Sequence, residues 1–217
     1  MKSYVITIFD NPRSVQVADR CISSGKALGI DIEKFVAITP KQEIMAMANH
    51  EGIPTSGFKE IYSRFDNCLS AFLSHYSLWK MCVQDNEEYQ IFEHDAVIVN
   101  QLPPETLSYK GLVNLGKPSY GKYNDPQMIG VNPLTSKNYL PGAHAYRIKP
   151  WAAQELIDKA KSSAMPTDVF IHIQNFPWLE EYYPWPVEVR DNFTTIQNQR
   201  GCLAKHNYKN GLAYDII

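Results

Sequence analysis

The chain has 217 residues, of which 44% are hydrophobic and 20% charged, with a formal net charge of −2. That length supports one sizeable core in a single domain, and the near-neutral balance supplies no general attraction to nucleic acid or anionic membrane, although a local basic face is compatible with it. No apolar run is long enough to span a bilayer, and Cys21, Cys68, Cys82 and Cys202 form no CxxC pair, which excludes zinc-ribbon and thioredoxin-like spacings and predicts free thiols in a cytoplasmic, reducing compartment.

Tyr4–Phe9 is rich in β-branched and aromatic residues and ends at Asp10-Asn11-Pro12, which predicts a central strand followed by a turn. From Arg13 to Leu28 the apolar positions Val17, Cys21, Ile22 and Leu28 suit an amphipathic helix that Gly29 can close. A second strand over Ile32–Ile38 completes a βαβ unit. Because ligands in open α/β sheets gather where a strand's carboxyl end feeds a helix, Asp10, Asn11 and Arg13 are candidate nucleotide contacts; a turn with a capping residue is the plainer role for each. Gln42–Asn49 is helical in pattern, and residues 52–57, with two glycines and a proline, form a loop. Leu69, Phe72, Leu73, Tyr76, Trp79 and Val83 recur at the three-and-four spacing of a buried helix face. Ser74 and His75 sit mid-helix. His75 lies off the main apolar stripe, which predicts a surface or hydrogen-bonded structural imidazole, with a donor-site contact as the sharper alternative.

The run Tyr89–Val99 is apolar except for Glu93-His94-Asp95. Two carboxylates around an imidazole cost several kcal/mol if buried unpaired, so the triplet belongs in a wet cleft or against a cation. Magnesium or manganese takes one or two protein carboxylates and fills its other positions with water and phosphate, which suits a nucleotide-diphosphate substrate. A solvated turn at a strand end is the plainer alternative. Leu112–Leu115 is a further short strand, and Gly116–Leu140 is a long irregular stretch whose tyrosines argue against disorder and for a substrate-covering loop. Pro141–Ile148 leads into a strand, Trp151–Lys161 is a helix, and Thr167 or Asp168 caps the next helical start. Phe176–Pro186, dense in Trp, Tyr and Pro, is predicted to pack, before a last strand at Val187–Val189.

Several blocks together resemble glycosyltransferase family 25, the group of lipopolysaccharide-biosynthesis and collagen galactosyltransferases. These are the strand and arginine-bearing helix of Tyr4–Arg20, Ser74-His75 with Trp79, the acidic triplet, Gly142–Tyr146 and Pro166–Asp168. Their order covers the chain from about residue 3 to about residue 196. His94 stands where the family has a middle Asp, which leaves the motif one negative charge short. The chain is similar to compact bacterial and bacteriophage-encoded members. The resemblance implies a GT-A-type α/β fold with a mixed central sheet flanked by helices, a donor-binding half over about residues 1–100 and an acceptor-binding half over about 101–217. It also implies metal-dependent, inverting transfer of a hexose or pentose from a nucleotide-diphosphate sugar, a UDP-sugar above all, to a glycan such as lipooligosaccharide.

Inverting transfer needs a base for the acceptor hydroxyl, a cation on the departing diphosphate, and groups that hold both in line. The resemblance casts Asp168 as base with Asp191 as runner-up. It casts Asp95, Glu93 and His206 as ligands of Mn2+ or Mg2+, and Asp10, Asn11, Arg13, Ser74, His75 and Glu93 as donor contacts. His172 is a weaker metal candidate in apolar surroundings. Three other functions compete. A phage enzyme would act, in the host cytoplasm, on a hydroxymethylated pyrimidine in DNA, and its acceptor binding would depend strongly on salt. A non-catalytic sugar- or nucleotide-binding module is motivated by His94. A glycoside hydrolase fits less well, since Glu93 and Asp95 are too close in sequence to flank a bond across a cleft.

Overall fold

Alternation along the first strand sets the architecture: Val5 enters one hydrophobic cluster and its neighbour Ile6 the other, on opposite faces of the sheet. The computed structural model describes residues 1–58, 63–190 and 193–197, and the backbone of 215–216. In chain order the elements begin with β1 (Lys2–Thr7), α1 (Pro12–Lys26), β2 (Glu33–Val36), α2 (Ile44–His50), α3 (Phe65–Asp85), β3 (Tyr89–Glu93) and β4 (Ala96–Ile98). They continue with β5 (Leu112–Asn114), β6 (Gly130–Pro133), β7 (Ala145–Ile148), α4 (Pro150–Ser163), α5 (Thr167–Phe170), β8 (Glu180–Tyr183) and β9 (Val187–Val189). A last pair, β10 (Phe193–Thr194) and β11 (Asp215–Ile216), runs parallel.

The main sheet has seven strands in the order β2-β1-β3-β7-β5-β8-β6. β1 pairs in parallel with β2 and β3, β7 runs antiparallel to β3 and β5, β8 is parallel to β5, and β6 closes the edge antiparallel to β8. This is a mixed α/β sheet flanked by helices. α1 packs against β1 and β4 on one face, while α3 and α4 pack together on the other. Leu69, Phe72 and Trp79 of α3 are fully buried there.

A polar ladder crosses the sheet in register. Gln90 donates to Ser3 Oγ (3.3 Å) and accepts from Arg147 Nε (2.7 Å); Arg147 then donates to the carbonyls of Pro103 (2.5 Å) and Pro104 (2.8 Å). Arg147 is buried, and its bonds to two carbonyls and an amide offset the cost of removing a cation from water.

The strand that ends at the acidic triplet is β3, and the turn at His94-Asp95 sends β4 away to pair with β9. Three local expectations are corrected. The irregular stretch 116–140 contains β6, and the aromatic stretch 176–186 contains β8; these two pair with each other at the sheet edge. Pro166 occupies the cap position of α5 with no side-chain cap bond, so neither Thr167 nor Asp168 is the cap. Of the two roles expected for His75, the structure shows the hydrogen-bonded one and not the surface one: it is 1% exposed and its Nδ1 lies 2.8 Å from Tyr146 Oη. Among the described residues, no helix is long and apolar enough to cross a membrane, and Cys21, Cys68 and Cys82 are buried.

Candidate functional site

β1 is flanked in parallel by β2 on one side and β3 on the other, so the chain reverses its winding there, and the crevice beyond the carboxyl ends of these strands is the expected ligand site. Two cavities meet at that end. A cleft of about 520 Å³ is bordered by Glu93, Asp95, Tyr120, His144 and Asp168 among others. A smaller pocket of about 80 Å³ lies at the ends of β1 and β2 between Ile6, Ile8, Ala37, Ile38 and Pro40, with Asn67 and Ser74 on its α3 side. Glu93 and His94 border both.

A hydrogen-bonded chain runs from the core to Glu93. Trp79 Nε1 donates to Tyr146 Oη (2.9 Å), Tyr146 Oη lies 2.8 Å from His75 Nδ1, and His75 Nε2 lies 3.3 Å from Glu93 Oε1. Burial lowers the His75 pKa to about 3, so the imidazole is neutral. Burial, then the charge of Asp168, pushes the Glu93 carboxyl up to about 8, although 32% of the side chain opens to the cleft. Ser74, one residue before His75, donates to Ser70 O and accepts the Ile38 N–H, which ties α3 to the end of β2.

Asp168 forms another part of the cleft wall. Its carboxylate accepts from Tyr120 Oη (2.5 Å) and from the Val169 N–H (2.9 Å), and burial raises its pKa above the ordinary value. Tyr120 comes from the irregular stretch, so that segment does reach the cleft. Nearby, the His144 ring lies beneath Gly116, where a Cβ would come within 2.5 Å of Nε2, and burial lowers its pKa to about 4. Gly142 has φ +84°, and a Cβ on it would lie 2.8 Å from Ser119 Oγ; this is one place where glycine is required on both counts.

The rest of the triplet faces α1. Ser14 Oγ accepts the Ile8 N–H and lies 2.6 Å from His94 Nδ1, and the Asp95 carbonyl accepts from Arg20 Nη2 at 3.3 Å. His94 thus ties the turn to α1. Among the described residues, no group of three His, Cys, Asp or Glu side chains could by itself hold a metal. A diphosphate-bound magnesium or manganese needs only one or two protein carboxylates, and Asp95 and Glu93 at the cleft fit that donor chemistry. Asp191 and His206 lie outside the described residues.

Asp10, Asn11 and Arg13 are not among the residues bordering either cavity. Asp10 pairs with Lys41. Asn11 Oδ1 caps α1 by accepting the N–H groups of Arg13 (3.1 Å) and Ser14 (3.3 Å). The Arg13 guanidinium lies 4.6 Å from the ring centroid of Phe193, which borders the cleft. His172 stacks on Tyr139 and accepts the Gln174 N–H, a structural arrangement. Sequence patterns missed Tyr146 as part of the site. A buried Trp79 was the available signal, since its indole N–H requires an acceptor.

A mixed sheet that opens at the ends of its parallel strands onto a carboxylate-lined cleft places the chain among α/β proteins with a small-molecule site at the strand ends. More particularly, the chain belongs to glycosyltransferase family 25 (LPS biosynthesis protein), whose model matches residues 1–111, and it is a glycosyltransferase of lipopolysaccharide biosynthesis on that ground. The match includes Ser74, His75 and the acidic triplet, while Asp168 lies beyond it. None of the curated proteins compared with the chain matches it.

Proposed function

We propose that the chain adopts a GT-A-type arrangement and transfers a hexose or pentose, with inversion, from a UDP-sugar to a glycan hydroxyl. The carrying observation is that the apolar pocket at the ends of β1 and β2 opens, at Glu93, into the larger cleft that holds Asp168. The donor's base reaches into the small pocket and the acceptor enters the large one. The sugar then lies at their junction.

Asp168 is the base that takes the acceptor's proton. A hydroxyl is a poor acid, so a carboxylate made more basic by burial suits this step, and the bonds from Tyr120 and Val169 hold it in one orientation. Asp95 holds Mn2+ or Mg2+, which when bound offsets charge on the diphosphate. Asp168→Asn is expected to lower turnover by about a hundredfold or more while leaving nucleotide-sugar affinity unchanged. Near-full turnover in that variant removes Asp168 from the mechanism.

A further inference from the structure

We propose that Glu93 recognises the hydroxyls of the donor sugar rather than completing the metal site, and that His75, Tyr146 and Trp79 are positioning residues that aim it. This rests on the nucleotide-sugar function proposed above.

Proton directions along the chain follow from the chemistry of its members. The indole of Trp79 can only donate, so the Tyr146 oxygen accepts from it. The Tyr146 O–H then has one acceptor in reach among the described residues, Nδ1 of His75. A neutral imidazole that accepts at Nδ1 carries its proton on Nε2, the atom facing Glu93 Oε1. Trp79 and Tyr146 are 0% exposed and His75 1%, so none of the three can turn away to water. Three buried side chains from α3 and β7 therefore deliver one N–H donor to one carboxyl oxygen.

The other oxygen has a different setting. No described residue bonds to Glu93 Oε2, and about a third of the side chain opens to the cleft. Glu93 also borders both cavities, which places it at their junction. The hydrogen bond at Oε1 fixes where Oε2 points. A carboxyl that must choose among sugar hydroxyls gains a fixed orientation, because wrong stereochemistry then leaves a polar group unpaired. Asp95, held from the α1 side, is left as the carboxylate for the diphosphate's cation.

The test is calorimetric titration of the intact chain, with saturating manganese, using UDP and a panel of UDP-hexoses and UDP-pentoses. The wild type is expected to prefer one sugar. Glu93→Ala removes both carboxyl oxygens, so the sugar hydroxyls lose their partner while the fold of the turn is kept. It is expected to reduce that preference about tenfold, as for one lost hydrogen bond, with UDP affinity unchanged. His75→Leu is expected to lose the preference likewise, whereas His75→Gln, which keeps a donor, retains it in part; Tyr146→Phe falls between them. A folded Glu93→Ala variant that keeps the full preference overturns the inference, as does one whose manganese-dependent UDP affinity drops as far as that of Asp95→Asn. Wild-type binding of UDP with no sugar preference overturns the inference alone, and no binding of any nucleotide overturns the proposed function with it.

Discussion

A carboxyl group whose proton affinity rises on folding makes the native state less stable as the pH increases, because the native state then binds more protons than the unfolded chain. Glu93 rises from 4.5 to about 8, so its contribution is lost progressively as pH climbs from 4.5 to about 8 and is gone above the folded value. Asp168, also raised, acts in the same direction. His75 and His144 fall from 6.5 to about 3 and about 4, so they bind fewer protons when folded and add stability as pH rises toward 6.5. The opposing trends overlap below pH 6.5, and above it the raised carboxyl is left. The melting temperature, measured without nucleotide or metal, is therefore expected to decline from pH 6.5 to 8. Glu93→Gln should flatten that decline; an equally steep fall in the variant would show that another group titrates.

At the scale of elements, α1 joins the acidic turn to the sheet. Asn11 caps the helix, and Ser14, one turn in, holds both the Ile8 N–H and His94. Asn11→Ala is expected to cost about 1 kcal/mol in urea denaturation, with Asn11→Asp close to wild type and nucleotide affinity unchanged in both. A marked loss of nucleotide affinity with stability intact would instead make Asn11 a donor contact. α1 and α3 were legible because helical periodicity is a local signal, and so was the strand before the acidic triplet. β6 and β8 were not, since they are short strands, β6 at the sheet edge and β8 beside it, whose apolar pattern is masked by Gly, Pro and clustered aromatics. The burial of His75 was likewise hidden: its partner Tyr146 is 71 residues away, as Tyr120 is 48 from Asp168, and such pairings leave no mark on local spacing. The triplet was legible as a site because charges interrupted an apolar run. What sequence could not supply was that Glu93 faces His75 while His94 faces Ser14.

For the whole molecule, the cleft is assembled from distant parts of the chain: the ends of β1, β2 and β3, the α3 face, Tyr120 from the 116–140 stretch, and Asp168 after α4. A ligand that fills it therefore holds the native arrangement together and stabilises the entire fold, not one loop. Binding to the native state alone contributes about 2.7 kcal/mol at a hundredfold excess over Kd. For a chain of this size each kcal/mol raises Tm by about 2–4 °C, so a saturating UDP-sugar with manganese should raise it by roughly 5–10 °C. Because the cation bridges Asp95 and the diphosphate in the proposed arrangement, the shift should shrink when manganese is withheld. Asp95→Asn should show the small shift whether or not manganese is present. If the wild type is stabilised equally with and without the metal, the ion has no part in donor binding, and the acidic turn must act through Glu93 alone.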